Sequence, residues 1–453
     1  MTSSAVAARE RTPRHEWWAD GLEAAVYLVS AVGVAFVLSG GAFTGASGLD
    51  WFYALGRVVG VIATVFLLAQ VLLVSRAPYI ERSVGHDRTV ALHTRLGKWA
   101  IILMVVHVFF VVGVTTNHDG TTFVATLGMF FTQAWYLAAA QLGLLVFLAV
   151  LASSLVIVRR RWRYESWHTV HLLVYVGTAF AVPHQFLFGG TFSPKGAAWW
   201  FWLVLYVFAF GSLLVFRVAR PLWVAARLGL HVASVEALPD GSTSIVVRGK
   251  GVQSLGARAG QFFLWRFVAP GFWREAHPFS LSRTPDADTL RITVKPSGDF
   301  SSRVALLKPG TRVIAEGPLG VFHGERRLGR GLVLVAAGIG ITPIRAMLEA
   351  LPQDDAPVDV IVRCSSEPDA PLLDEVRAIA SERGARLHVL AGARGESGWA
   401  PAATPVTLAQ LVPDVSRRDV FICGPRLWAL AVAADAAEAG VPQRRVHREE
   451  FAW

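Results

Sequence analysis

The first 220 residues contain six apolar runs, and after about Arg220 the composition becomes that of an ordinary soluble α/β chain. A segment in hydrocarbon must satisfy each backbone N–H and C=O internally, so each run is predicted to be a helix. The runs fall at 22–40, 52–75, 93–115, 132–158, 167–188 and 197–217, and about 20 residues suffice to cross a bilayer. Their connections alternate in charge. Arg9, Arg11 and Arg14 precede the first run, and Arg76, Arg82 and Arg88 follow the second. Arg159-Arg160-Arg161 and Arg163 follow the fourth, and Arg217, Arg220 and Arg227 follow the sixth. The other three connections carry only Lys195 among lysines and arginines. Basic connections stay on the cytoplasmic side, which predicts both termini and the soluble half in the cytoplasm. Trp51 and the Trp199-Trp200-Phe201-Trp202 cluster are then expected at the outer interface. The N-terminal tail, 1–21, is charged for too long to read as a cleaved signal, so the first run is expected to be an uncleaved anchor.

Four histidines lie inside these apolar stretches in two pairs, His93 with His107 and His171 with His184, separated by 14 and 13 residues. At about 1.5 Å per residue each pair spans roughly 20 Å, two thirds of a ~30 Å hydrocarbon core. With spans three and five parallel, His93 faces His171 near one surface and His107 faces His184 near the other. Two stacked bis-histidine sites suit two haems, because imidazole is a normal axial ligand of haem iron. The alternative is four polar residues satisfied by helix–helix hydrogen bonds. Thirteen residues leave His184 far from the face of His171 in a straight helix, so a kink at Pro183 is expected to bring it round. His168 competes for the inner site, but beside Trp167 it reads as a headgroup-level histidine.

With 453 residues, 53% of them hydrophobic, and a mean hydropathy of +0.46, the chain is expected to hold two or three domains. The net charge of +10 does not indicate nucleic-acid binding, since much of it sits in short loops between apolar runs. Two cysteines, Cys364 and Cys423, are too few for a four-thiolate iron–sulfur cluster or a disulfide framework.

Beyond residue 230 the chain reads as short strands (HVASVEAL, TSIVVRGK, QFFLWRFV, TLRITVKP, TRVIAEGP) separated by Gly, Pro and Asp turns, which predicts an antiparallel barrel. After Arg330, GLVLVAAGIGITPIRAMLEAL is a buried strand, a glycine turn and a helix, opening a parallel α/β unit. Its glycines allow close approach to a pyrophosphate, and Pro343 suits a first helical turn whose free N–H groups favour an anion. A strand ending at Arg363 bears on the coenzyme, because arginine there suits the 2′-phosphate of NADPH and an acid would suit NADH. Arg363 as a solvated strand end is the alternative.

Further motifs give the soluble half a family likeness. They are His277-Pro278-Phe279-Ser280-Leu281-Ser282, Gly298-Asp299-Phe300-Ser301, Glu316-Gly317-Pro318-Leu319-Gly320, Gly338-Ile339-Gly340-Ile341-Thr342-Pro343, Cys423-Gly424-Pro425 and His447-Arg448-Glu449-Glu450-Phe451. In this order they resemble the ferredoxin-NADP reductase superfamily. With the apolar half, the chain from 22 to 453 is similar to the ferric reductase and NADPH oxidase family of membrane flavocytochromes. The resemblance implies a six-helix haem-binding domain at 22–220, an FAD-binding β-barrel at 228–327 and an NAD(P)-binding α/β domain at 328–453. It implies that His277, Pro278, Phe279, Ser280 and Ser282 hold the flavin, and that Gly298, Phe300 and Ser301 cap its pyrophosphate. Gly338, Gly340, Ile341, Thr342, Pro343, Arg363, Gly424 and Pro425 would hold the nicotinamide coenzyme. Cys423, Glu449 and Phe451 would sit where hydride is exchanged. No calcium-binding extension or ferredoxin module is recognisable, so regulation of that kind is not expected.

The implied activity moves electrons from cytoplasmic NADPH or NADH through FAD and two b-type haems to an external acceptor. Oxygen, a ferric or cupric complex, and a membrane or periplasmic partner protein remain open as acceptors. The outer connections, with Asn117, His118, Asp119, Gln185 and Lys195, carry too few polar residues to define a chelate site. A six-helix transporter with a regulatory flavin domain is the rival class.

Overall fold

The computed structural model describes residues 16–450 except 47, 85, 156–161, 163, 189–195, 330, 353–355 and 394–397. Phe451, Arg159–Arg161, Arg163 and Lys195 lie outside the described residues. The chain divides into two compact units, one ending at Arg217 and one running from Val218 onward.

The first unit is helical: α1 Glu16–Ser39, α2 Asp50–Leu73, α3 Pro78–Val84, α4 His86–His118, α5 Phe123–Gln133, α6 Trp135–Ser154, α7 Tyr164–Leu172, α8 Val174–Leu187 and α9 Ala197–Leu214. Six helical stretches among the described residues are long and apolar enough to cross a membrane, in register with the six runs. α2 is the most enclosed, packing on α1, α4 and α9. Small residues allow the closest approaches. A Cβ added to Gly143 of α6 would lie 2.7 Å from the Gly177 carbonyl of α8, the small-residue packing that holds helices together in lipid.

Four expectations change here. The fifth run is interrupted at Leu173, where Leu173 N donates to Val170 O at 3.0 Å, while α8 continues through Pro183. A tightened turn at Leu173 thus separates His171 from His184, with Pro183 inside α8. Trp202 is fully buried against Val61, Val65 and Tyr206, while Trp200 is exposed. Four consecutive residues cover a whole helical turn, so one of them must face inward. Gln185 is not a loop residue but lies inside α8, donating to Thr64 Oγ1 at 3.4 Å and accepting from Tyr206 at 2.6 Å. The connection after α4 contains α5, whose Thr122 cap accepts from Ala125 N at 3.2 Å.

The second unit opens with α10, Arg220–Leu228, and six strands: β1 His231–Ala237, β2 Thr243–Arg248, β3 Phe262–Phe267, β4 His277–Ser280, β5 Thr289–Val294 and β6 Val313–Leu319. They form two antiparallel sheets, β1-β2-β5 and β4-β3-β6, linked by single bridges at Leu281–Ile292 and His231–Arg312. Strand direction follows the sequence expectation. Closure into one continuous barrel ladder does not appear among the described residues. Trp265, Phe263, Phe267 and Ile292 fill the space between the sheets.

A parallel sheet follows, in the order β11-β10-β7-β8-β9. Its strands are β7 Leu332–Ala337, β8 Val358–Cys364, β9 Arg386–Ala391, β10 Asp419–Gly424 and β11 Val446–Glu450. They alternate with α11 Ile341–Ala350, α12 Leu373–Glu382, α13 Leu408–Leu411 and α14 Arg426–Glu438. β7 is buried along its whole length, as a central parallel strand must be. The strand order reverses between β7 and β10, and open α/β sheets bind ligands at such a switch point.

A charge network ties the antiparallel sheets to this layer. Arg291 of β5 donates to both carboxylate oxygens of Glu375 on α12, at 3.0 and 2.7 Å. Arg345 of α11 bridges Glu375 and Glu349 at 2.7 Å each, and Glu349 accepts from Thr284 N at 2.7 Å. Burial pushes the Glu375 carboxyl up, but hydrogen bonding and charge from Arg291 and then Arg345 outweigh it and hold it below the usual range. A carboxyl depressed in the folded state adds stability above its unfolded value, about 4.3, and loses it as pH falls through the folded value. The full-length protein is therefore expected to lose thermal stability below about pH 4.3 more steeply than Glu375→Gln, measured by the melting temperature at stepped pH. Parallel pH profiles would contradict this role for the network.

Candidate functional site

In the helical unit the histidines meet in pairs. The rings of His93 on α4 and His171 on α7 lie 6.1 Å apart, centre to centre, and are tilted by 70°. One metal bound by two imidazoles at about 2.0 Å each leaves ring centres roughly 6 Å apart. His107 on α4 and His184 on α8 line one cavity of about 200 Å³ with Arg57, Gly60, Tyr53 and Gln141. Trp167 stacks on His171 at 5.0 Å, with His168 beyond it at 6.4 Å from Trp167.

The hydrogen bonding of the four rings bears on both readings, ligation and helix–helix satisfaction. His107 Nδ1 lies 2.8 Å from the Gly56 carbonyl, an arrangement that keeps the proton on Nδ1 and leaves the Nε2 lone pair for a metal. Gly60 makes room for that ring, since an added Cβ would lie 2.6 Å from His107 Nδ1. The Nδ1 atoms of His93, His171 and His184 are buried without a hydrogen bond. The His93 and His184 rings lie near the Gln70 and Ala181 carbonyls. Among the described residues no three His, Cys, Asp or Glu side chains gather as a bare-ion site. A pair of nitrogens suits an iron whose other four ligands come from a porphyrin. The residues fit that group.

The second unit presents its motifs at the switch point. Gly338, Ile341 and Pro425 line a cavity of about 500 Å³ with Arg363, Cys364, Ser365 and Trp428. Gly338 has φ +56°, and Thr342 Oγ1 donates to Ile339 O at 3.0 Å, fixing the turn before α11. Gly340 packs on the end of β10, where an added Cβ would collide with the Cys423 carbonyl and stand 2.9 Å from Gly424 N. Arg363 is only 6% exposed, yet its Nε has no partner. Its Nη1 donates to the Cys364 carbonyl. A buried guanidinium with an unmatched donor beside a cavity suits an anionic ligand. Lys295 and Asp240, brought from the antiparallel sheets, line the same cavity.

The flavin motif behaves unevenly. Ser280 Oγ is buried without a partner, as a group waiting for a ligand would be. Ser282 is already committed, accepting from Arg291 Nε at 3.1 Å and from Thr293 Oγ1 at 2.9 Å. His277 stacks on Phe300 at 3.8 Å, with Phe279 alongside and Pro278 between them in β4. Ser301 Oγ accepts from Gly298 N at 3.0 Å, so the turn expected to cap a pyrophosphate is pre-shaped by its own hydroxyl.

Cys423 is fully buried and pairs in register with Ala336 on one side and Glu449 on the other. Burial, then the charge of Glu449, pushes its thiol well up, so it stays protonated. Glu449 lies beside Gly320, bringing the last strand to the Glu316–Gly320 hairpin.

Sequence reasoning missed Arg57, Gln70, Lys295, Asp240 and Trp428. The first two were legible as polar residues inside apolar runs. The other three come from elements that only the fold brings together.

Residues 59–182 match the family described as ferric reductase like transmembrane component, and residues 334–433 match the oxidoreductase NAD-binding domain. The chain joins these two components. The reductase-like component runs from α2 into α8 and contains His93, His107 and His171, with His184 two residues beyond its end. The NAD-binding component contains the Gly338 turn, Arg363 and the Cys423 segment. The chain is 29% identical over 202 residues to a flavohemoprotein of Xylella fastidiosa, covering 43% of this chain and 51% of that protein. It is 28% identical over 254 residues to an NADPH oxidoreductase of Mycobacterium tuberculosis, covering 52% and 63%. It is 26% identical over 310 residues to dual oxidase 1 of Rattus norvegicus, covering 61% and 19%. The chain thus spans about half the length of the flavohemoprotein.

Proposed function

We propose that this protein is a transmembrane oxidoreductase that carries electrons from cytoplasmic NADPH through FAD and two b-type haems to an external acceptor, oxygen or a ferric or cupric complex. The pairing of His93 with His171 and of His107 with His184, three of them with a buried unmatched nitrogen, carries the reading. When bound, the flavin converts a two-electron hydride donor into single electrons and the haems supply a one-electron path.

The chain's own residues bind and orient. His93 and His171 would ligate one haem, and His107 and His184 the other. Gly56 fixes the His107 tautomer, and Arg57 would offset carboxylate charge at the second site. Ser280 would hydrogen-bond the flavin, and Arg363 would take the coenzyme's 2′-phosphate. The name of the mycobacterial relative, an NADPH oxidoreductase, agrees with that choice. The charge pattern of the connections supports a cytoplasmic nucleotide half.

Coenzyme choice is testable at one residue. Arg363→Ala is expected to raise KM for NADPH by about 10- to 100-fold, as loss of a charge-assisted phosphate contact does, and to leave KM for NADH nearly unchanged. Equal losses for both coenzymes would place Arg363 in the fold instead. The acceptor is tested by following NADPH consumption with oxygen, without it, and without it plus ferric chelate. Consumption that resumes anaerobically only with chelate would exclude a strict oxidase. Sustained consumption under none of these conditions would favour an electron-donor subunit, whose electrons need a partner protein as acceptor. A purified, haem-supplied protein without a Soret band would overturn the whole reading.

A further inference from the structure

Gln70 sits near the end of α2, at the depth of His93, and is 7% exposed. Neither Oε1 nor Nε2 of its amide has a hydrogen-bond partner. The amide lies against α4 at Gly97, where an added Cβ would stand 3.3 Å from Oε1 and 3.7 Å from Cδ. Gly97 is four residues, about one turn, beyond His93 on the same helix. The Gln70 main-chain carbonyl lies near the His93 ring. Unmatched polarity is therefore gathered around one pair: the Nδ1 atoms of His93 and His171, and both ends of the Gln70 amide.

A primary amide in hydrocarbon with neither end satisfied is costly, and leucine or methionine would fill the same space without that cost. Space-filling therefore does not account for glutamine here. A ligand with a hydrogen-bonding edge does. A porphyrin is apolar except for its two carboxylate side chains, and a carboxylate drawn into this region needs a donor.

Building on the haem reading above, we propose that Gln70 is a positioning residue of the His93/His171 site, its amide donating to a porphyrin carboxylate and so fixing the macrocycle's rotation between the two imidazoles. Gly97 provides the flat surface on which the amide lies.

The test uses full-length protein made in haem-deficient cells, solubilised, and titrated separately with haem and with haem dimethyl ester. Gln70→Leu is compared with wild type, and the His107/His184 site serves as internal control in every titration. Haem is expected to bind the His93/His171 site about 10- to 100-fold more weakly in Gln70→Leu, with the control site unchanged. The ester, which lacks the carboxylate charge, is expected to bind both proteins equally. Before haem is added, Gln70→Leu is expected to melt at a higher temperature than wild type, because the unmatched amide is gone. Equal haem affinity in the two proteins, or a wild-type advantage undiminished with the ester, whose carbonyl is only a weak acceptor, would overturn the proposal. Absence of haem binding at both sites in wild type would instead remove the proposed function on which it rests.

Discussion

His107→Ala and His184→Ala are each expected to halve the haem content, from two per chain to one, while leaving flavin reduction by NADPH intact. The reason is the separation of the sites. His107 of α4 and His184 of α8 share one cavity, and His93 of α4 and His171 of α7 lie ring to ring about four turns of α4 away. Loss of a hydrogen-bond partner behind a metal-ligating histidine costs 10- to 100-fold. Loss of the ligand itself should therefore cut electron delivery to an external acceptor by at least ~100-fold. Gly60→Ala should act in the same direction but less completely, because its Cβ would press on the His107 ring at 2.6 Å. The pyridine haemochrome ratio and the rate of flavin bleaching by NADPH check the two halves separately. FAD lost in step with haem in these variants would contradict a modular electron path.

The helical half was largely legible because lipid leaves the backbone few choices. Six apolar runs became six helical stretches, with most ends moved by up to five residues and the sixth helix carried on to Leu228. Helical phase was not legible. The sequence pointed to Pro183 as the place where the fifth run departs from a straight helix, and the break at Leu173 was not foreseen. A proline advertises itself, but a tightened turn in an apolar run is chosen by packing, here beside the Gly143–Gly177 contact. Trp202 taught the same lesson, since four neighbouring aromatics cannot share one face of a helix.

In the second unit, the turns were legible and the partners were not. Gly338, Pro343 and Pro425 carry their conformational reasons in their own chemistry, so the turn between β7 and α11 could be placed from residues alone. Trp428 and Lys295 join the same cavity from elements distant in sequence. The commitments of Ser282 to Arg291 and Thr293, and of Ser301 to its own turn, also needed the fold. Motif matching assigned both serines to the flavin, while the structure distinguishes them from Ser280, whose hydroxyl alone is left unmatched among these three.

Two glycines of one turn should respond in opposite degree. Gly338 has φ +56° and nothing within 4 Å of an added Cβ. Gly338→Ala therefore pays only left-handed strain, about 1–2 kcal/mol. Gly340 has an ordinary φ but no room, because its Cβ would strike the Cys423 carbonyl and approach Gly424 N to 2.9 Å. Both obstacles are backbone atoms of a central strand bonded to β7 and β11, so neither can step aside without disturbing the sheet. Overpacking of this kind costs about 3 kcal/mol or more. For a unit of this size that corresponds to a fall in melting temperature of roughly 6–12 °C. The same displacement moves the turn that would receive the coenzyme phosphates. Flavin reduction by NADPH is therefore expected to fail in Gly340→Ala and to survive, slowed, in Gly338→Ala. Haem reduction by dithionite should persist in both, because it bypasses the nucleotide half. Stopped-flow absorbance separates these outcomes, and a Gly340→Ala protein as active with NADPH as Gly338→Ala would show that contact with β10 does not shape the coenzyme site.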